Sequence, residues 1–338
     1  MVELSEMELV ARVRCIQAEI RDRVIAHMEA QELGALSEVV GETAGDTIYA
    51  IDRVSEEALQ ELFQREMGGD TSFVLIGEGL EDTGKVFPEG TDPEDALYRV
   101  IVDPIDGTRG LMYDKRSAWV LTGIAPNKGK FTSLSDITVA VQTEIPTRKQ
   151  FRGDVLWAVK GSGAQAEGFN RFDGTSVNLI LKPSKADTIE HGFAMLSRFF
   201  PGAKDVLGQV EEALVEALIG PVQPGRARLF EDQYICSGGQ FYELMAGHDR
   251  FNADLRPNLE RVIRSRGRSL GICCHPYDVC TELIAREMGV IITDPHGKLL
   301  DASLDTTSPV AWVGYANPDL RRKIEPVLQR VMAEYGLV

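Results

Sequence analysis

The stretch Asp103-Pro104-Ile105-Asp106-Gly107-Thr108 limits this chain more than any other. It follows Tyr98-Arg99-Val100-Ile101-Val102, an apolar run with the length of a buried strand. A strand therefore delivers two carboxylates, three positions apart, onto a tight turn. Pro104 fixes φ and donates no hydrogen bond, and Gly107 lets the backbone approach a ligand closely. Thr108 adds a hydroxyl. Oxygen ligands on a stiff turn suit a hard cation such as Mg²⁺, and Mg²⁺ commonly brings a phosphate with it. Taken alone, the turn also reads as a solvated acidic loop, so the rest of the chain has to decide.

The flanking pattern begins with a helix over residues 6–30, where Leu9, Val13, Ile16, Ile20, Val24 and Met28 recur at steps of three and four. After a turn-like stretch at 41–46, a second helix is carried by Ile51, Val54, Ala58 and Leu62 and stopped by Gly68-Gly69. Asp52 near its start either favours the helix dipole or serves a site. Phe73-Val74-Leu75-Ile76-Gly77 reads as a strand ending in Glu78, and 79–95 as a loop. Two strands thus each place a carboxylate at the carboxyl end, where open sheets usually put their ligands. Further strands are predicted over 118–125, 137–143 and 155–160, the last followed by a Gly161-Ser162-Gly163-Ala164 turn between strands. Two helices followed by many strands predict an α+β region to about residue 183. From 184 the signals alternate: strands over 189–196, 290–293 and 310–315, and helices over 203–219, 240–246, 278–288 and 318–332. This second half, 184–338, reads as α/β.

A net charge of −16 argues against a partner that is a nucleic-acid polymer, which a basic footprint would bind. The odd set Cys15, Cys236, Cys273, Cys274 and Cys280 fits no zinc pattern, and the adjacent pair is poor disulfide geometry. Reduced thiols, no basic leader region and no apolar run of membrane-spanning length predict a cytoplasmic protein with no membrane partner. Arg256, Arg261, Arg264, Arg266 and Arg268 stand out in so acidic a chain. They form either a solvated basic face or an anion-binding loop.

In order along the chain, Gly77-Glu78, the motif over 103–108 and Tyr277-Asp278 resemble the inositol monophosphatase family. That family belongs with the fructose-bisphosphatases and bisphosphate nucleotidases among the Mg²⁺-dependent, lithium-sensitive phosphatases. The acidic pair Asp46 and Asp52, the glycine turn at 158–164 and Thr293-Asp294 with Gly297 match further parts of its pattern, so the resemblance runs from about residue 40 to 316. It implies a layered α-β-α-β-α sandwich. It also implies two or three Mg²⁺ per site: Glu78, Asp103 and the Ile105 carbonyl hold one, and Asp103, Asp106 and Asp278 hold another. Glu78 and Thr108 would activate a water, Asp52 would fix Thr108 or a third metal, and the Gly107 and Thr108 amides would face the phosphate. Family members are often dimers, so a homodimer is expected.

Two departures stand out. Gly79 replaces a frequent second Glu, and Cys273-Cys274-His275-Pro276 replaces a carboxylate that often contacts sugar hydroxyls. The expected function is phosphomonoester hydrolysis on a small phosphorylated metabolite. The alternative is a bisphosphate nucleotidase or fructose-bisphosphatase-like activity, in which the Arg256–Arg268 segment, with Arg264 and Arg266 as its contacts, recognises a second anionic group. A non-catalytic metal- or phosphate-binding relative is a third reading. The chemistry stands without the family. Carboxylates about 4 Å apart repel by roughly 4 kcal/mol per pair at an effective dielectric of 20, and cations remove that cost.

Overall fold

The computed structural model describes residues 1–42, 47–80 and 84–338. Its helix Glu6–Ala30 starts where Ser5 and Glu8 exchange capping hydrogen bonds, and it buries all six of the periodic apolar residues. With the helix Ala50–Glu66 it covers one face of a large sheet. Among the described residues that sheet has eight strands. Their order is Ser176–Leu179, Ala164–Asn170, Arg152–Val159, Val139–Ile145, Ala118–Pro126, Tyr98–Asp106, Phe73–Gly77 and Lys85–Phe87. Neighbours run antiparallel except Phe73–Gly77 beside Tyr98–Asp106, which are parallel.

Both faces of this sheet are buried, and strict alternation divides the side chains between them. Phe73, Leu75, Val100 and Val102 pack towards the first two helices, while Val74, Ile76 and Ile101 pack the other way. On that second face lie the helices Ser237–Met245 and Glu282–Glu287. Beyond them is a smaller sheet, ordered Phe193–Leu196, Asp249–Asp254, Trp312–Tyr315 and Ile291–Thr293. The helices Lys204–Ile219 and Pro318–Glu334 close the outside. The layers are therefore α-β-α-β-α, as expected.

Several local expectations change. The loop expected over 79–95 contains the short strand Lys85–Phe87, whose three residues are too few to show a period. The helix expected from Asp278 begins as a 3₁₀ turn, Pro276–Val279, and resumes at Glu282–Glu287. Asp278 spends its carboxylate on the His275 amide at 2.6 Å, which fastens the tight turn. The basic segment is preceded by a central strand, Asp249–Asp254, whose buried Asp249, Asn252 and Asp254 hid it from a hydrophobicity reading. No described helix is long and apolar enough to cross a membrane.

Candidate metal centre and active site

The strand Tyr98–Asp106 solves a parity problem. Residues three apart on a regular strand point to opposite faces, yet Asp103 and Asp106 reach the same place. The pairing with Ala118–Pro126 shows how: Asp103 sits opposite Leu121 and Asp106 opposite Trp119, so two residues on one strand face one on the other. This bulge restores the parity and absorbs Pro104, which has no N–H to give a ladder in mid-sheet. The Ile105 amide donates to Asp103 Oδ1 at 2.9 Å, fixing the first carboxylate inside its own turn.

Gly107 then turns the chain at φ 101°, a left-handed conformation that favours glycine. A Cβ there would also stand 3.0 Å from Cys236 Cβ. Across this contact lies the start of the helix Ser237–Met245. Its Gly238 and Ser237 amides donate to the Asp106 carboxylate at 2.6 and 3.3 Å, and the Cys236 thiol donates to the Asp106 carbonyl at 3.2 Å. The 3₁₀ turn Pro276–Val279 brings in Asp278. Among the described residues, Asp103, Asp106 and Asp278 each offer one carboxylate oxygen to a group whose atoms lie within 4.8 Å of one another. Glu78 follows the strand that runs parallel to Tyr98–Asp106 and lines the same cleft.

The electrostatics follow from this crowding. Asp103 is pushed well above the usual carboxylate range by burial first, then by Glu78, Asp106 and Asp278. Burial lifts Asp106 to about 6, against the pull of the Gly238 amide, the Cys236 thiol, the Ser237 amide and the Arg256 charge. Asp278, with 18 % of its side chain still exposed, is raised by burial and by Asp106, and is pulled down by the His275 amide and Arg256. At 4.8 Å, two such charges repel by about 3.5 kcal/mol at an effective dielectric of 20. Three crowded hard-oxygen donors that resist ionising together fit a divalent cation such as Mg²⁺ or Mn²⁺, and they fit a soft ion poorly.

Thr108 lies at the edge of the cluster. Its hydroxyl lies 2.8 Å from Asp52 Oδ1 and 2.9 Å from the Ile105 carbonyl, and it donates to these acceptors. The other Asp52 oxygen accepts the Tyr49 amide at 2.8 Å, so this residue serves the helix start and the site together. Glu78, Asp103, Ile105, Asp106, Gly107, Thr108 and Asp278 line one cleft. Asp46 lies outside the described residues. The structure separates Arg264 and Arg266 from the cleft: Arg264 pairs with Glu260 and Arg266 with Asp205 at the exposed surface. Two other arginines line it, Arg109 and Arg256, with Phe199 and Phe200. Nothing in the sequence distinguishes Arg256 from its four basic neighbours. Gly79, in place of the second Glu, takes φ 76°, a backbone conformation in which Glu would be strained.

No protein-family model and no curated protein matches the chain. Solved structures do. A fructose-1,6-bisphosphatase of Leishmania major, solved in holo form, superposes with a TM-score of 0.68 at 14% identity, over 96% of this chain and 94% of that one. The extragenic suppressor protein suhB of Bartonella henselae gives 0.62 at 17%, over 95% and 98%. An IMPase of Thermotoga maritima gives 0.57 at 16%, over 94% and 95%. The chain has the inositol monophosphatase/fructose-bisphosphatase fold. At these identities the likeness is one of fold, and the acidic cluster adds a buried group of carboxylates able to hold a metal ion.

Proposed function

We propose that this protein is a Mg²⁺-dependent phosphomonoesterase acting on a small phosphorylated metabolite. The observation that carries the reading is the convergence of Asp103, Asp106 and Asp278 in a cleft shared with Glu78 and Thr108. Asp103, Asp106 and Asp278, with Glu78 and the Ile105 carbonyl, would hold the metal. When bound, the ion supplies positive charge for the phosphoryl oxygens and the leaving alkoxide and makes a water more acidic.

The protein's own groups do the rest. Thr108 donates its hydroxyl hydrogen bond to Asp52, which leaves its lone pairs to accept one O–H of the attacking water. That bond aims the water. Glu78, which lines the same cleft, would take its other proton. The Gly107 and Thr108 amides lead into the short helix Thr108–Leu111, whose first N–H groups have no carbonyl within the helix to bond, and they would meet the substrate phosphate. Neither a cysteine nor a histidine nucleophile is required. Burial pushes the Cys236 and Cys274 thiols well above their ordinary range, which keeps them protonated and unreactive.

Phosphate release from a panel of phosphate monoesters and bisphosphates tests the proposal. Activity is expected with Mg²⁺, to fall with Li⁺ and to vanish with a chelator. Asp52→Asn and Thr108→Ala are expected to lower kcat by roughly 10²-fold or more with little change in KM. Hydrolysis that persists unchanged in chelator would refute the reading.

A further inference from the structure

Of the basic segment, Arg256 reaches the cleft, and it is built in differently from the rest. Its side chain is 10 % exposed, against 74 % for Arg264 and 39 % for Arg266. It closes the central strand Asp249–Asp254 by forking onto Asp254, whose side chain is 1 % exposed. Nε lies 2.9 and 3.0 Å from the two Asp254 oxygens, Nη2 donates to Oδ2, and Nη1 donates to the Ile272 carbonyl at 3.1 Å. The Phe199 and Phe200 rings sit 4.5 and 5.2 Å from the guanidinium carbon and restrict any swing.

A buried ion pair is weak support for stability, because an apolar pair of similar volume often does as well. Here the cation also faces a cleft lined by four carboxylates, Glu78, Asp103, Asp106 and Asp278, which would repel an anion. These bonds use three of its five N–H groups. The other two, one on each terminal nitrogen, have no partner among the described residues. A planar guanidinium held rigid with two spare donors matches phosphate oxygens in a way that a lysine ammonium does not.

We propose that Arg256 is the phosphate-contacting guanidinium of this cleft, with Asp254 as the residue that positions it. This rests on the phosphatase reading for its context, since that reading is what brings a phosphate to the cleft. The phosphate is either the group under attack or a second one on the same substrate. The chemistry at Arg256 is the same in both cases.

The test uses the full chain with Mg²⁺ and compares wild type with Arg256→Lys, which keeps the charge and loses the fork. A second variant, Asp254→Asn with Arg256→Gln, leaves no buried charge unpaired and serves if Arg256→Lys does not fold. Thermal melting establishes folding. KM and kcat are measured for a monoester and a bisphosphate, with inhibition by inorganic phosphate, and phosphate binding is followed by calorimetry without turnover. If the group under attack is held, the inhibition constant for phosphate and the monoester KM both rise by about tenfold or more. If a second phosphate is held, those two stay constant and the bisphosphate KM rises instead. Either result supports the proposal and identifies the phosphate. A folded variant with wild-type constants for all three ligands overturns it. A wild type that binds phosphate through Arg256 yet hydrolyses no ester would sink only the phosphatase reading.

Discussion

Burial and the nearby carboxylates Glu78, Asp106 and Asp278 all push Asp103 towards its protonated form while no cation is bound. The proposed metal-binding role and stability therefore conflict at this residue. An Asn at 103 keeps an oxygen for the Ile105 amide and removes one charge from the cluster. In chelator at pH 8, Asp103→Asn is expected to be more stable than wild type by roughly 1–3 kcal/mol, while losing its phosphatase activity. Paired denaturant melts and phosphate assays check both halves, and a less stable variant would contradict the repulsion. Glu78, Asp103 and Asp106 were readable in the sequence from local signals, and Asp278 through the resemblance. Glu78 and Asp103 end apolar runs, Asp106 stands before a Gly, and Asp278 follows Tyr277. Arg256 was not readable as distinct, because its burial comes from Phe199, Phe200 and Asp254, and two of those are over fifty positions away. Arg264 and Arg266 look the same in one dimension and end on surface carboxylates.

At the level of elements, the bulge in Tyr98–Asp106 and the start of Ser237–Met245 act together. The first aims two carboxylates one way, and the second presents amides to one of them. Gly107 is the joint between them. Gly107→Ala meets both a positive φ and the Cys236 Cβ at 3.0 Å, so it is expected to cost roughly 1–3 kcal/mol in a urea melt. A variant with wild-type stability would mean that the joint yields more easily than its packing indicates. Strong periods made the long helix and the central strands of the large sheet legible. The bulge was not, because it is a property of two strands in register, and the partner residues Trp119 and Leu121 lie on the next strand. The strand Ser176–Leu179 also went unread: it is a short edge of four residues with mostly exposed side chains.

For the whole molecule, the buried acids set how stability follows pH. Asp106 is raised to about 6, Asp103 and Asp278 are raised as well, and burial lifts Glu144 and Glu282 to about 7. Each binds its proton more tightly folded than unfolded. The native state thus holds more protons above about pH 4, where unfolded carboxylates ionise. Metal-free stability should be greatest at the acid end of this window and decline as pH climbs through 6 and 7. Mg²⁺ should restore the share lost by the three aspartates, most strongly above pH 6, and leave the share from Glu144 and Glu282. Melting midpoints from pH 4.5 to 8, with and without Mg²⁺, read both effects, and a midpoint that rises with pH in chelator would contradict the assignment. The α+β first half and α/β second half were legible from the order of apolar runs and helical periods, whereas the layered stacking came from the family resemblance, because a strand such as Asp249–Asp254 buries Asp249, Asn252 and Asp254 and shows no apolar run. The most direct test of the metal centre is phosphate release as Mg²⁺ is titrated from zero into wild type and Asp278→Asn. Saturating activation in wild type, with the curve moved to higher Mg²⁺ or abolished in the variant, is the expected result. Superimposable curves, or release already maximal without Mg²⁺, would contradict it.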